Sequence, residues 1–323
     1  MKITVILCTY NRCQSLAKTL DSLIGSALSA PAEWQVLVVD NNSKDQTRAV
    51  VEEFARRYEG RFQYLFERQQ GKSYALNAGI RAAQGDILAF IDDDVIVAEG
   101  WLQNLTANLG DNEWAGAGGP VLPPADFSRP PWLSSTSSFA FGPLAEFHPS
   151  IGAGQMTVSP VGANMAFRKS VFQKYGYFRT DLGPRPGNEI RSEDIEFGRR
   201  LILAGERLRY EPSAIVYHPV TSARLRKKYF LAWWFDKGRA EVRQLGMRPN
   251  VNRFRGVPLK LFRDITIEAV RWVVAGKASE RFVCKLKVWC YAGEAFESFL
   301  QRDDVDRKRL EPDANPTSNP ELR

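Results

Sequence analysis

Three consecutive carboxylates, Asp92, Asp93 and Asp94, follow the apolar run Ile87-Leu88-Ala89-Phe90-Ile91. Like charges at that spacing repel unless a cation stands among them. The triplet therefore reads either as an acidic surface turn, which Asp favours, or as a strand ending at a charged site. The apolar run is too short for a useful helix, which supports the strand. Three similar edges recur in the chain. Thr9-Tyr10-Asn11-Arg12 follows the run Ile3 to Cys8, Asp40-Asn41-Asn42-Ser43 closes the run from Trp34, and Glu67-Arg68-Gln69-Gln70-Gly71-Lys72 follows Phe62 to Phe66. Carboxylates mixed with Arg12, Arg68 and Lys72 suit a nucleotide diphosphate accompanied by a divalent cation, because that ligand satisfies both signs of charge.

These groups meet only if the chain folds them to one edge. Strands are expected at Ile3 to Cys8, Trp34 to Asp40, Phe62 to Phe66 and Ile87 to Ile91. Between them, helical spacing of apolar residues predicts helices over Ser15 to Leu28, from Asp45 through Val50, Val51, Phe54 and Tyr58, and over Ser73 to Ala83. Strand and helix alternating four times is the pattern of a mainly parallel sheet flanked by helices, whose ligands sit beyond the carboxyl ends of the strands. No Gly-x-Gly-x-x-Gly follows the first strand, and no Gly-x-x-x-x-Gly-Lys-Ser/Thr occurs, so neither glycine-rich phosphate fingerprint is present. Gly116-Ala117-Gly118-Gly119 comes late in the chain, before Pro120, and is expected to form a turn or bulge.

The motifs Thr9-Tyr10-Asn11-Arg12, Val38-Val39-Asp40-Asn41-Asn42-Ser43-Lys44-Asp45, Gly71-Lys72-Ser73-Tyr74-Ala75-Leu76-Asn77-Ala78-Gly79 and Phe90-Ile91-Asp92-Asp93-Asp94 resemble, in order and spacing, the nucleotide-sugar-binding half of family 2 glycosyltransferases. The resemblance continues through Gly162-Ala163-Asn164-Met165-Ala166-Phe167-Arg168 and Ser192-Glu193-Asp194-Ile195-Glu196-Phe197. It implies an α/β, Rossmann-like GT-A domain over 1–219, with a donor half (1–119) and an acceptor half (120–219). It also implies an inverting enzyme that moves one sugar from a nucleotide-sugar, a UDP-sugar first, to a hydroxyl of a saccharide or lipid-linked acceptor. Asp94 would then hold Mn²⁺ or Mg²⁺, while Asp92 and Asp93 hold ribose and sugar hydroxyls or tune the outer shell of the metal. Asp40 would accept the imino N–H of uracil, with Thr9 and the following backbone, Tyr10 and Asn11, walling the base; Arg12 and Lys72 would contact diphosphate or base. Asp194 would be the general base and Glu193 its neighbour shaping the acceptor site, with His218 as an additional imidazole ligand of the metal.

Structural alternatives stand beside these roles. Asp40 is also placed to cap the segment after Ser43, Glu193 and Asp194 to complement a helix N-terminus, and His218, after an expected strand Ala214 to Tyr217, to serve as a core histidine. Residues 120–160 lose periodicity, which fits either disorder or a binding loop; Trp132, Phe139, Phe141 and Phe147 there argue for partial packing or stacking on a sugar ring. His148 in that stretch is assigned no role. Gly183 to Asn188, ahead of the expected base, reads as a mobile acceptor loop.

Charge divides the chain. Residues 1–218 carry 22 basic and 24 acidic side chains, whereas 219–300 carry 17 and 7, so the whole excess of a net +7 lies in the second stretch. There two amphipathic helices are expected. One has Leu261, Phe262, Ile265, Ala269, Trp272 and Val273 on one face, opposite Lys260, Asp264, Glu268 and Arg271. The other carries Phe282, Val283, Leu286, Trp289, Cys290, Phe296 and Phe299. This basic helical extension, 220–300, either packs on the main domain or, through 224–300, meets an anionic membrane surface; no nucleic acid partner is expected. Glu268-Ala269-Val270-Arg271-Trp272 differs in its first residue from the Gln-x-x-Arg-Trp element of processive synthases and lies far downstream of Asp194, which disfavours a chain-extruding enzyme. Four cysteines without metal-ligand spacing are expected to be reduced, mostly buried thiols, and with no signal-peptide core they point to the cytoplasm and its membrane face. Residues 301–323, with Pro312, Pro316 and Pro320 among polar residues, are expected to be a disordered tail. Two other classes compete: a catalytically silent nucleotide-sugar-binding or membrane-docking protein of a glycan assembly complex, and a nucleotidyltransferase, which lacks its glycine-rich loop here.

Overall fold

The computed structural model describes residues 1–27, 33–111, 113–149, 151–246 and 251–302. Its first half follows the predicted alternation: β1 (Lys2–Thr9), α1 (Cys13–Ala27), β2 (Glu33–Asp40), α2 (Thr47–Arg57), β3 (Phe62–Phe66), α3 (Lys72–Ala82) and β4 (Ile87–Asp92). Then come β5 (Ile96–Val97), α4 (Trp101–Thr106), β6 (Gly116–Gly118), β7 (Val121–Leu122), α5 (Ser138–Phe141), β8 (Gly154–Gln155), β9 (Met165–Arg168), α6 (Lys169–Tyr175) and α7 (Glu193–Leu203). The chain continues through β10 (Leu208–Tyr210), β11 (Val216–Tyr217), α8 (Lys227–Leu245), β12 (Arg253–Phe254), β13 (Val257–Pro258), α9 (Leu259–Val274) and α10 (Ala278–Leu300). Leu28, the end predicted for the first helix, and residues 303–323 of the expected tail lie outside the described residues.

One sheet of eight strands, ordered β3-β2-β1-β4-β9-β6-β10-β8, forms the centre. The pairs β3-β2, β2-β1 and β1-β4 are parallel, and β9 then runs antiparallel to β4 and β6. Alternation along the strands feeds a core on each face. Ile3, Val5 and Leu7 of β1 pack with Leu16, Leu20, Leu23, Val51 and Phe54 on one side, while Ile6 joins Leu76, Ile80 and Phe90 on the other. The second core is aromatic: the Phe172 and Phe197 rings stack at 4.7 Å, and Phe90, Phe167 and Phe178 surround them. Burying each such ring contributes roughly 1.5–3 kcal/mol, which anchors α7 to the sheet.

The glycine run expected to turn is instead a strand. A side chain at Gly116 would have its Cβ 2.3 Å from the Phe167 ring, and one at Gly118 2.4 Å from Pro160. The absence of side chains there lets β6 lie between β9 and β10 with bulky neighbours above it. The expected strand after residue 213 shortens to β11, which joins β5 and β7 in a small second sheet. Asn164 pins that sheet from inside, donating to the carbonyls of Pro120 at 2.9 Å and Ala214 at 2.7 Å and accepting from the Trp101 indole at 2.9 Å.

The C-terminal extension differs from its prediction in two ways. A third helix, α8, occupies the stretch containing Trp233-Trp234-Phe235. Its apolar run shows no period because it is contacted from several sides. Phe230 packs with Trp132 and Phe282, Trp234 stacks on Phe139 at 4.0 Å, and Phe235 meets Phe296. The helices α8 and α10 touch backbone to backbone, since a Cβ on Gly238 would lie 2.0 Å from the Cys290 carbonyl and one on Gly293 2.0 Å from that of Phe235. The second difference is in α9, where Glu268, predicted on the polar face, is 6% exposed, whereas Phe262 and Val273 stand 46% and 78% exposed. Glu268 turns inward because Lys287 of α10, at 3.5 Å, and Arg271, at 2.8 Å, neutralise it. All four cysteines are free, but only Cys290 is buried and the other three are half-buried, correcting the expectation of mostly buried thiols.

Candidate functional site

Sheet register sets the site. Thr9 pairs with Asp40, and Cys8 with Asp92, so three strands deliver their polar residues to one row at their carboxyl ends. The loops beyond are fixed by their own side chains. Asn11, in the left-handed region at φ 53°, accepts from the Lys44 N–H at 2.7 Å, while its own N–H donates to Ser43 Oγ at 2.9 Å. Asp40 accepts from the Ser43 N–H at 2.9 Å and from the Tyr64 hydroxyl at 2.8 Å and is 3% exposed. Asn41 accepts from the Gly71 N–H at 2.7 Å and so sets the entry to α3 and the position of Lys72.

Each carboxylate of the triplet has a cationic partner. Lys72 Nζ is 2.5 Å from Asp92 Oδ1; Arg12 Nη1 is 3.1 Å from Asp93 Oδ1 and 2.9 Å from Asp94 Oδ2. Arg224 Nη2 and His218 Nε2 each lie 3.3 Å from Asp94. Burial works against ionisation at all three, and the outcomes differ with the neighbours. Asp92 stays below the usual carboxylate range because Lys72 outweighs its burial, and Asp94 lies well below it because His218, Arg224 and Arg12 together do the same. At Asp93 burial prevails over Arg12 and raises the carboxyl to about 6.

The distant His218 arrives here through the small sheet. Tyr217 pairs with Ile96 of β5, two residues beyond Asp94, and the His218 N–H donates to the Leu122 carbonyl at 2.8 Å. One ligand atom from each of Asp92, Asp94 and His218 falls within 4.8 Å of the others. Two carboxylate oxygens and an imidazole nitrogen form a donor set suited to a small divalent cation such as Mn²⁺. The charge balance agrees. Three carboxylates against Arg12, Lys72 and Arg224 leave the cluster near neutral, so an entering diphosphate brings surplus negative charge that a dication offsets.

Across the edge, α7 opens with Glu193 and Asp194. Both oxygens of Asp194 accept backbone N–H groups, Gly162 at 2.6 Å and Ile195 at 2.8 Å, which fixes the carboxylate at the helix start. Glu193 is buried, with Oε1 3.9 Å from Lys72 Nζ. Burial first, and then the Asp194 charge, raise its carboxyl to about 7. Lys72 is held above its usual range, since Asp92 and Glu193 together outweigh its burial. It thereby connects the triplet to α7.

Two clefts share this connection. The first, about 360 Å³, is lined by Thr9, Tyr10, Arg12, Lys72 and all three aspartates of the triplet, with Arg224 and the Pro184-Arg185-Pro186 turn on its rim. The second, about 640 Å³, holds Glu193 and Asp194 and is walled by Phe141, Phe147, Trp233 and His148, with Lys72 and Asp92 at the junction. Of the residues singled out in the sequence, Asp40, Asn11, Arg68, Trp132 and Phe139 line neither cleft; Asp40 and Asn11 shape the loops behind the first. His218 is buried beneath Asp94.

Sequence reasoning missed several contributors. Arg224 had no signal beyond its place in a basic run, and Trp233 and Lys237 of α8 lay in an aperiodic stretch. His148 bonds Glu146 at 2.8 Å beside the second cleft. Gly162 stood in a quoted motif, but its N–H contact to Asp194 required the fold. Gly183 to Asn188 borders the first cleft through residues 184–186, and Pro184 borders both.

The family described as Glycosyl transferase family 2 matches residues 4–176. The glycosyltransferase AglE of Haloferax volcanii is 29% identical over 241 residues, covering 74% of this chain and 73% of that protein. The glucosyl-dolichyl phosphate glucuronosyltransferase of the same organism is 26% identical over 247 residues, which span 72% of this chain and 75% of that protein. Among solved structures, the mannosyltransferase PcManGT of Pyrobaculum calidifontis, in complex with GDP-Man and Mn²⁺, aligns with a TM-score of 0.56 at 19% identity, covering 96% of this chain and 76% of that one; the likeness is one of fold.

Proposed function

The chain belongs to glycosyl transferase family 2, and from that premise we propose that it transfers one sugar, with inversion, from a UDP-sugar to a hydroxyl of a saccharide or lipid-linked acceptor. The observation that carries this reading is the junction of the two clefts, where Lys72 stands between Asp92 of the triplet and Glu193 beside Asp194. The first cleft receives the donor and the second the acceptor. Asp92, Asp94 and His218 would hold a Mn²⁺ or Mg²⁺ ion, which would supply Lewis-acid neutralisation of the leaving diphosphate. Arg12 and Arg224 add cationic contacts on the same side. Thr9, Tyr10 and the Asp40 loop frame the base, and Asp93 holds a donor hydroxyl.

Asp194 takes the proton of the acceptor hydroxyl as that oxygen attacks the anomeric carbon. Its two backbone hydrogen bonds fix its direction, leaving further lone pairs on each oxygen for the incoming O–H. Glu193, whose burial beside Asp194 favours its protonated form, shapes the acceptor cleft. The relative whose name carries dolichyl phosphate supports a lipid-linked acceptor, and the four free thiols support work at the cytoplasmic face of a membrane.

Nucleotide release from UDP-, GDP- and dTDP-sugars, with and without Mn²⁺, tests the reading. Release from a UDP-sugar that requires Mn²⁺ is expected, with Asp94→Ala inactive and Asp194→Asn lowered about 10²–10⁴-fold in kcat at unchanged donor affinity. Release by Asp94→Ala at the wild-type rate, or none from any donor, would sink it. Preference for a GDP-sugar would overturn only the choice of nucleotide.

A further inference from the structure

The outward side of α9 is apolar. Leu259, Phe262, Ile267, Val270, Val273 and Val274 are between 42% and 78% exposed, and at 3.6 residues per turn they fall within a sector of roughly 140°. The charges around them are sorted by sign. On α9 the side chains of Lys260, Arg263 and Arg271 are between 61% and 70% exposed, whereas those of the acids Asp264 and Glu268 are 17% and 7% exposed. An apolar stripe with Arg263 inside it and Lys260 and Arg271 along one edge, its acids turned inward, complements a surface that is apolar inside and anionic at its boundary, where long cationic side chains reach the headgroups.

Among the described residues, no helix is long and apolar enough to cross a membrane. We propose that this face of α9 lies in the plane of an anionic bilayer, with its valines among the acyl chains and its cations at the headgroups. A second copy of the chain fits the face less well, because the exposed charges of α9 (Lys260, Arg263 and Arg271) are all positive and a two-fold contact would bring them together without acids to pair them. The remaining geometry gives the attachment a purpose. The helix α9 packs on α10, α10 packs on α8 through Gly238 and Gly293, and α8 supplies Trp233 and Lys237 to the second cleft. Attachment through α9 thus holds at the bilayer the unit that walls the second cleft, close to the source of a lipid-linked acceptor. Only this purpose rests on the proposed transfer reaction; the attachment does not.

Flotation of the full chain with vesicles of phosphatidylcholine, alone or mixed with phosphatidylglycerol, tests the assignment without any substrate. Wild type is expected to float with the anionic vesicles and to be released as salt rises. The triple variant Val270→Asp, Val273→Asp, Val274→Asp, changed only at exposed positions, is expected to bind about tenfold or more weakly while keeping wild-type Tm and wild-type nucleotide release. Equal flotation of the two proteins, or no flotation of wild type, overturns the assignment and leaves the transfer reading standing. A wild-type dimer that the triple variant dissolves, with neither protein floating, overturns it in favour of self-association.

Discussion

Glu193 is the residue at which burial and chemistry conflict most. An ionised glutamate beside Asp194, out of water, is disfavoured by both surroundings, and the nearby Lys72 is already committed to Asp92. Its carboxyl therefore rises from 4.5 to about 7, and the sign of the consequence is fixed by linkage. The folded state favours the protonated form, so the associated stability is fully present below pH 4.5 and is lost as pH rises to about 7. The Tm of wild type is expected to fall, relative to that of Glu193→Gln, across this window in cation-free buffer and to run parallel above it. Parallel curves throughout would show that the burial carries no such cost. The residue types at the site were legible in the sequence, since strand-end carboxylates and cations are local signals. The difference between Asp92, Asp93 and Asp94 was not, because each protonation state depends on which cation the fold brings near.

At the scale of elements, the start of α7 depends on a helix far along the chain. Ser192, immediately before Glu193, sits at φ 83°, a left-handed conformation unusual for serine, is 4% exposed, and provides no side-chain cap. Lys237 of α8 donates to its hydroxyl at 3.1 Å and also pairs with Glu241. A charged hydrogen bond of this kind is worth roughly 1.5–3 kcal/mol, enough to hold a strained turn and with it the direction of Asp194. As a positioning residue, Lys237 is expected to act on turnover: Lys237→Ala should lower kcat about tenfold at unchanged donor KM, and Lys237→Arg should restore part of it. A fall in Tm without a change in kcat would leave Lys237 a purely structural role. Nothing in the local sequence announces the pairing, since Ser192 and Lys237 meet only through tertiary packing.

The whole molecule joins its parts through a third core. Leu133, Ala140 and Leu144, from the aperiodic stretch, pack with Phe230, Phe282 and Leu286 of the extension, and Trp132 packs edge-on to the Phe282 ring at 4.9 Å. The stretch without pattern is thus ordered by the helices that cover it. Phe282→Ala should cost about 3–5 kcal/mol, read as a lowered Tm, and should loosen the wall of the second cleft; an unchanged Tm would mean that the extension docks without this core. By itself the sequence determined the parallel half of the sheet, the strand-end groups and the family, because period, strand-end composition and motif order are written within short spans of chain. Only the tertiary structure decided that Gly116–Gly118 is a strand, that α8 exists and walls a cleft, that Arg224 joins His218 at Asp94, and that α9, with Leu261 buried, leaves Phe262, Val270, Val273 and Val274 exposed. Each of these depends on what packs against the segment, and that partner lies tens to hundreds of residues away, beyond the reach of any local pattern.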